Sequence, residues 1–208
     1  MRSYITFQMI CSLAVIILYA CGKDTKPSID SSIIPETIKA DTTGIGLFRT
    51  VVLPRDVSGS LYLHSMPGRY DPLSTTVSEI EEKEIDIVIS LTSLEEIRNK
   101  SPEYANAIDD NSLGFERMEF PIIDFGIPQD SIAFLDLAKN LAGRLKSGEK
   151  LLIHCGAGIG RTGTLAASVL ISLGKNLNES LDAVRNAGSN PETEEQMDLV
   201  MWISNHFR

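Results

Sequence analysis

A cysteine and an arginine on either side of a glycine-rich turn are the residues of this chain whose types and spacing best suit chemistry. Cys155 and Arg161 enclose the segment Gly-Ala-Gly-Ile-Gly. A short apolar run at 150–153 precedes the turn, and a helix-like stretch at 164–173 follows it. Glycines let successive backbone N–H groups face inward, and a helix N-terminus adds partial positive charge. The sequence therefore predicts a phosphate-sized, anion-binding nest.

The two enclosing side chains would make this nest catalytic. The helix N-terminus and the backbone donors that hold a phosphate also favour the thiolate of Cys155, which is the nucleophilic form of cysteine. Arg161 can bind two phosphate oxygens at once through its planar guanidinium. A structural cysteine buried before a helix is the alternative interpretation, because free cysteines are commonly buried.

The segment from His154 to Gly163 resembles the signature loop of the protein tyrosine phosphatase superfamily, with Gly156 where the tyrosine-specific branch usually has Ser. From about residue 45 to the end, the chain is similar in size and element order to the compact dual-specificity branch. The resemblance implies hydrolysis of phosphate monoesters through a phosphocysteine on Cys155, without a metal or another cofactor. The phosphate-binding residues that it implies are Gly156, Ala157, Gly158, Ile159, Gly160 and Arg161.

A general acid is needed as well, because an alkoxide or phenoxide leaves poorly unless it is protonated. The segment Asp124-Phe-Gly-Ile-Pro128 resembles the mobile acid loop of the family, with Ile122 and Ile123 in place of its usual Trp-Pro. The resemblance implies that Asp124 protonates the leaving group and then activates the hydrolytic water. An ordinary turn aspartate beside Gly and Pro is the alternative interpretation.

Four further residues are candidates for supporting roles. His154 would orient the loop through backbone groups, and Thr162 would donate a hydrogen bond to the Cys155 sulfur and cap the following helix. The segment 192–196 resembles the family's Gln-Thr-x-x-Gln, whose first Gln positions the hydrolytic water. Glu192 stands at that place and Gln196 at the second, so the water-positioning role stays open between them, and a solvated acidic helix start is the alternative.

Strand-like and helix-like segments alternate along the chain. Strands are predicted at 48–53, 61–64, 85–91, 115–122 and 150–154, and helices at 75–83, from 93, and at 131–146, 162–173, 178–187 and 192–206. Such alternation predicts an α/β fold in which a parallel-dominated central sheet is flanked by helices on both faces. Residues 45–208 would form this catalytic domain.

The first residues of the chain have a different character. Residues 1–20 combine one positive charge with a short apolar run, which indicates an export signal. Leu18 to Cys21 resembles a bacterial lipobox, although Tyr19 is larger than usual there. Cys21 would carry the lipid and residues 21–44 would form a flexible tether. We expect a membrane-anchored lipoprotein of the bacterial cell envelope, with an uncleaved membrane anchor as the alternative. Cys11 would leave with the signal, so Cys155 would have no disulfide partner.

Charge and motif together rank the possible functions. The net charge of −9 gives no basic surface for nucleic acid. A protein tyrosine phosphatase, with phosphoserine and phosphothreonine as further substrates, is the leading prediction, since the loop lacks the lysines common in phosphoinositide phosphatases. The predicted export of the protein instead favours a small phosphate ester as the substrate, so a phytase-like inositol-polyphosphate phosphatase is an alternative. A catalytically inactive phosphate-binding module is the third.

Overall fold

The computed structural model describes residues 48–206. The predicted signal peptide at 1–20, the predicted lipid on Cys21, the tether at 21–44, and residues 45–47 and 207–208 of the predicted domain lie outside the described residues. Within the described part of the chain, no helix is both long and apolar enough to cross a membrane.

Between residues 48 and 206 the chain forms a mixed α/β fold around one sheet. The strands are β1 Arg49–Val51, β2 Ser60–His64, β3 Ile87–Ser90, β4 Arg117–Glu119 and β5 Lys150–His154. The helices are α1 Leu73–Glu82, α2 Leu94–Lys100, α3 Pro102–Asp109, α4 Ser131–Lys146, α5 Gly160–Ser172, α6 Leu177–Asn186 and α7 Glu194–His206. The strand order is β1-β2-β5-β3-β4, and only β1 pairs antiparallel with its neighbour. The predicted fold class is confirmed.

Both faces of the sheet are covered, as the continuous apolar character of its central strands requires. All four residues of β3 are buried. Ile89 and Ile153 belong to the main core, which also contains buried residues of α4, α5 and α7. Val88 and Leu152, one position away, face the other side and pack with Ile80 of α1. This alternation is the strand periodicity of two, with an apolar partner on each side.

Helix α5 is buried over nearly its whole length. It follows β5, the central strand of the sheet, so its N-terminus lies near the carboxyl end of that strand. Its polar residues are accommodated because their hydroxyls bond within the helix. Thr164, Ser168 and Ser172 each donate to the carbonyl four residues earlier, at 2.9, 2.8 and 2.9 Å. The turn between β5 and α5 therefore lies where parallel α/β sheets bind their ligands.

The predicted strands 48–53, 85–91 and 115–122 are shorter in the structure, and two predictions for helices also differ from it. Helix α1 begins at Leu73 without a side-chain cap, so the predicted start at Thr75 and Thr76 is wrong. The Thr75 N–H already bonds to the carbonyl of Pro72 at 3.0 Å, so the helical hydrogen bonds begin before the predicted start. Helix α3 was not predicted, and Pro102 occupies its first turn, where a missing N–H costs nothing.

Candidate active site

Cys155 lies at the base of the turn that joins β5 to α5. Its side chain is buried, and Cys155 is a free cysteine. The backbone N–H of Gly158 donates to its Sγ at 3.2 Å. The turn therefore folds back over the sulfur, and the predicted nucleophile faces a backbone donor of its own loop.

Contacts from outside the loop hold the carbonyl of Gly158. This oxygen accepts from Arg49 Nη2 at 2.6 Å and from Ser189 Oγ at 2.6 Å. In a trans peptide the C=O of one residue and the N–H of the next point in opposite directions. The Ile159 N–H therefore points away from these partners, toward the inner side of the loop. Gly158 adopts a φ of 75°, a conformation that favours glycine.

The carbonyl of Gly156 is held in the same way. It accepts from the backbone N–H of Met66, in the segment after β2, at 3.2 Å. The N–H of Ala157 consequently also points away from the outer contact. Inward N–H groups at a helix N-terminus can form an anion-binding concavity, and the orientations of these two carbonyls are consistent with the predicted nest.

The Arg161 side chain is only 2% exposed and is fixed on one side by Glu96. Its Nη1 donates to Glu96 Oε2 at 2.7 Å, and its Nη2 to Glu96 Oε1 at 2.9 Å. Nη1 also donates to the carbonyl of Ile122 at 2.8 Å. Burial opposes the charge, but the hydrogen bonds to Glu96 and the nearby Cys155 and Asp124 raise the pKa of Arg161 above its ordinary value.

Asp124 also contacts this arginine. Its Oδ1 accepts from Arg161 Nη2 at 2.7 Å, and its Oδ2 accepts from Lys100 Nζ at 3.0 Å. Half of the Asp124 side chain is exposed, with a relative accessibility of 49%. The structure thus brings the predicted acid to the predicted phosphate-binding arginine, although the two residues are far apart in the chain.

Glu96 connects the cations of the site. In addition to its two bonds with Arg161, it accepts from Lys100 Nζ at 2.7 Å. Burial acts to raise the pKa of this carboxyl, but the hydrogen bonds from Arg161 and Lys100 outweigh it and lower the pKa to about 2. Glu96 is therefore a permanent anion that holds both cations in place.

His154 links the loop to α3. Its Nδ1 lies 3.3 Å from the carbonyl of Cys155, and its Nε2 lies 3.3 Å from Tyr104 Oη. Because the carbonyl can only accept, Nδ1 carries the proton and Nε2 accepts from the tyrosine hydroxyl. Burial lowers the pKa of His154 to about 3 and raises the pKa of Tyr104. Both groups are neutral at physiological pH, as this chain of hydrogen bonds requires.

Thr162 does not cap α5, and that part of the prediction is wrong. The helix begins at Gly160, so Thr162 lies inside its first turn and Ile159 occupies the N-cap position. Its Oγ1 is buried and has no hydrogen-bond partner among the described residues. The predicted hydrogen bond to the Cys155 sulfur is not formed in this structure and stays a prediction.

Glu192 and Gln196, the two candidates near the start of α7, lie close to Gly160 of the loop. A Cβ added to Gly160 would collide with the Glu192 carboxylate and would lie 3.1 Å from Gln196 Oε1. Gln196 is buried, accepts from the Glu192 N–H at 2.9 Å and donates to the carbonyl of Gly126 at 3.0 Å. Gln196 therefore connects α7 to the acid loop, while the carboxylate of Glu192 is the group that lies against the nest.

Several residues of the site were not predicted from the sequence, among them Glu96, Tyr104 and Arg49. No role in the site was predicted for Glu96, and Tyr104 belongs to the unpredicted α3. Arg49 lies on β1; burial lowers its pKa, and the nearby Cys155 acts in the opposite direction. No local pattern marks these residues, because their partners are distant in the chain. Residues 48–206 contain no group of His, Cys, Asp and Glu side chains suited to a metal ion.

Comparisons with known proteins agree with this fold. A family model described as "Polymorphic toxin system, DSP-PTPase phosphatase" matches residues 64–175, more than half of the chain. Kinase associated phosphatase, solved with its catalytic-site cysteine replaced by serine, is 22% identical, with 80% of this chain and 98% of that chain covered and a TM-score of 0.66. Tk-PTP in its active form is 26% identical, with coverages of 73% and 97% and a TM-score of 0.56. PTPMT1 in complex with PI(5)P is 18% identical, with coverages of 74% and 95% and a TM-score of 0.58.

Proposed function

The chain belongs to the DSP-PTPase phosphatase family of polymorphic toxin systems, and we propose that it hydrolyses phosphate monoesters on proteins through a phosphocysteine at Cys155. Phosphotyrosine is the proposed principal substrate, with phosphoserine and phosphothreonine as further ones. The observation that carries the proposal is the 2.7 Å contact between Asp124 and Arg161. It brings the proposed general acid to the proposed phosphate-binding guanidinium, beside a loop that encloses a cysteine sulfur.

The first step transfers the phosphoryl group to sulfur. The Cys155 thiolate attacks phosphorus, the bond from phosphorus to the ester oxygen breaks, and Asp124 protonates the departing oxygen. Arg161 and the inward N–H groups bind the non-bridging oxygens, whose charge they stabilise in the transition state. Asp124 must first release Arg161, because both it and the phosphate use the same guanidinium nitrogen.

The second step regenerates the enzyme. A water molecule attacks phosphorus, its proton passes to the Asp124 carboxylate, and the bond between phosphorus and sulfur breaks. Inorganic phosphate leaves and the thiolate is restored. Glu192, whose carboxylate lies against Gly160, is the better placed of the two candidates to orient this water, because Gln196 is already bonded to the acid loop.

Apolar side chains beside the acid support a protein substrate. Ile123 and Phe125 flank Asp124 in the chain and are 73% and 63% exposed. Phe125 has a φ of 58°, an unusual conformation for a bulky residue, and such conformations cluster at functional sites. An aromatic ring or a peptide can pack against such a surface, whereas an inositol polyphosphate has little apolar surface to bury.

The test is phosphate release by the purified full-length chain under reducing conditions. The substrates are a phosphotyrosyl peptide and inositol hexakisphosphate. We expect release from the peptide, and complete loss of release in Cys155→Ser. Ser172→Ala, which removes a hydroxyl at the far end of α5, is the matched control and should retain activity. Release from inositol hexakisphosphate alone would contradict the protein-substrate proposal, and release that survives Cys155→Ser would contradict the mechanism.

A further inference from the structure

The turn that follows β2 places Arg69 at the site. In residues 66–69, the Arg69 N–H donates to the Met66 carbonyl at 3.1 Å. Pro67 occupies the second position, and Gly68 has a φ of 74° at the third. These are the features of a type II turn, which fixes the direction of the chain at its fourth residue.

This turn is attached to the catalytic loop and to the helical layer. The Met66 N–H donates to the carbonyl of Gly156 at 3.2 Å. Ser101, between α2 and α3, donates its hydroxyl to the carbonyl of Pro67 at 2.8 Å. Both attachments involve buried residues. The backbone of Arg69 is therefore held at a fixed place relative to the loop around Cys155.

The side chain of Arg69 reaches the residue that follows the nucleophile. A Cβ added to Gly156 would lie 3.0 Å from Arg69 Nη1 and 3.2 Å from Arg161 Nη2, and 3.0 Å from Oε1 of Glu96, the carboxylate that pairs with Arg161. Two guanidinium groups from different parts of the fold thus converge on one loop residue. Glycine at this position, where serine was the expected residue, leaves the space into which Arg69 extends.

Unlike Arg161 and Lys100, Arg69 has no carboxylate partner among the described residues. Arg161 pairs with Glu96 and Asp124, and Lys100 pairs with the same two carboxylates. Arg69 instead stacks its guanidinium over the ring of Tyr70, 4.7 Å from the centroid. Stacking leaves the N–H groups at the edge of the guanidinium available to bind an anion.

We propose that Arg69 binds a second anionic group of the substrate, next to the phosphate that is cleaved. The inference rests on the proposed phosphatase function and narrows its substrate class to phosphate monoesters with a neighbouring carboxylate or phosphate. Because Arg69 and Arg161 meet at Gly156, the second anion must lie directly beside the scissile phosphate. A glutamate next to phosphotyrosine in a peptide and an adjacent phosphate on a small ester both satisfy this requirement.

The test compares matched substrates on the full-length wild type, Arg69→Gln, Arg69→Lys and Arg185→Gln. Two phosphotyrosyl peptides differ only by Glu or Gln beside the phosphotyrosine, and an inositol bisphosphate with adjacent phosphates is compared with an inositol monophosphate. Arg185 pairs with Asp182 on the surface, so Arg185→Gln is the control for loss of one positive charge. The readouts are kcat and KM for each substrate.

We expect the wild type to prefer the glutamate peptide, and Arg69→Gln to reduce this preference about fivefold to tenfold, as loss of a half-exposed charge-assisted hydrogen bond would. The change should be in KM, and Arg69→Lys should restore part of it. The paired inositol phosphates show whether the second anion can also be a phosphate of a small ester. An equal loss on both peptides, or an unchanged preference, overturns the proposal.

Binding to a Cys155→Ser background separates this inference from the proposed function. The affinities of the two phosphotyrosyl peptides for Cys155→Ser, with and without Arg69→Gln, need no turnover. If the wild type released no phosphate, the proposed function would fail, while the binding preference would still decide the role of Arg69. A preference for the glutamate peptide that survives Arg69→Gln contradicts that role.

Discussion

Replacing Asp124 by asparagine should make the site bind inorganic phosphate more tightly while it slows turnover. In the structure, Asp124 Oδ1 accepts from Arg161 Nη2 at 2.7 Å. A phosphate that enters the nest must displace this carboxylate before it can use the same nitrogen. The amide of asparagine carries no charge, so it competes less well for the guanidinium.

The size of the expected gain in phosphate affinity follows from the environment of the ion pair between Asp124 and Arg161. The Asp124 side chain is 49% exposed and that of Arg161 is 2% exposed. Ion pairs at the surface contribute about 0.2–1 kcal/mol, and one buried partner puts this pair at the upper end. About 1 kcal/mol corresponds to an affinity for phosphate about fivefold higher. Loss of the general acid should lower kcat by ~10²–10⁴ in the same variant.

The assay is competitive inhibition by inorganic phosphate of peptide hydrolysis, with calorimetric binding of phosphate as an independent measurement. Asp109→Asn is the matched control, because Asp109 pairs with Arg98 at 3.0 Å and its side chain is 45% exposed. Asp109→Asn should change neither the affinity for phosphate nor kcat. A phosphate affinity in Asp124→Asn equal to or below that of the wild type would refute the competition between Asp124 and phosphate, and an unchanged kcat would refute its role as the acid.

Two further substitutions test the buried groups that hold the loop. Glu96→Gln should lower the free energy of unfolding by about 2 kcal/mol, because it leaves the buried Arg161 partly unpaired, and kcat/KM should fall as well. Glu95→Gln, at an exposed position, is the control. Equal thermal stability of the two variants would contradict the pairing of Glu96 with Arg161. His154 has a pKa lowered to about 3, so the unfolded chain takes up a proton below about pH 6.5 that the folded chain refuses. Urea unfolding should therefore give a lower stability at pH 5 than at pH 7, and His154→Gln should remove most of this difference.

The sequence was sufficient for the parts of the site that are local in the chain. Cys155 and Arg161 lie within one turn, and the strand and helix on either side of it have strong patterns. Helix α4 was predicted with its observed bounds, because Ser147-Gly148 after its end is a clear stop signal; the structure adds Asp130 as its N-cap. Asp124 could be proposed because glycine and proline shape its loop in a recognisable way.

The parts that could not be predicted depend on contacts between distant segments. Arg161 and its partner Glu96 are 65 positions apart, and Arg49 and Gly158 are 109 apart. An arginine in a short strand and a glutamate in the first turn of a helix both have ordinary explanations in the sequence. Only the assembled sheet brings them to one loop. Tyr104 was missed for the additional reason that the pattern of α3 is short and begins with proline.

The contacts of Arg49 make the edge strand β1 part of the site. Arg49 donates to the carbonyls of Gly158 and Gly188, at 2.6 and 2.5 Å. Burying a guanidinium is costly unless anions or acceptors surround it, and the pKa of Arg49 is accordingly lowered. Arg49 is only partly buried, and the acceptors that offset this cost include the loop carbonyl of Gly158, whose orientation turns the next N–H inward. The burial of Arg49 and the shape of the nest are therefore coupled, because each supplies part of what stabilises the other.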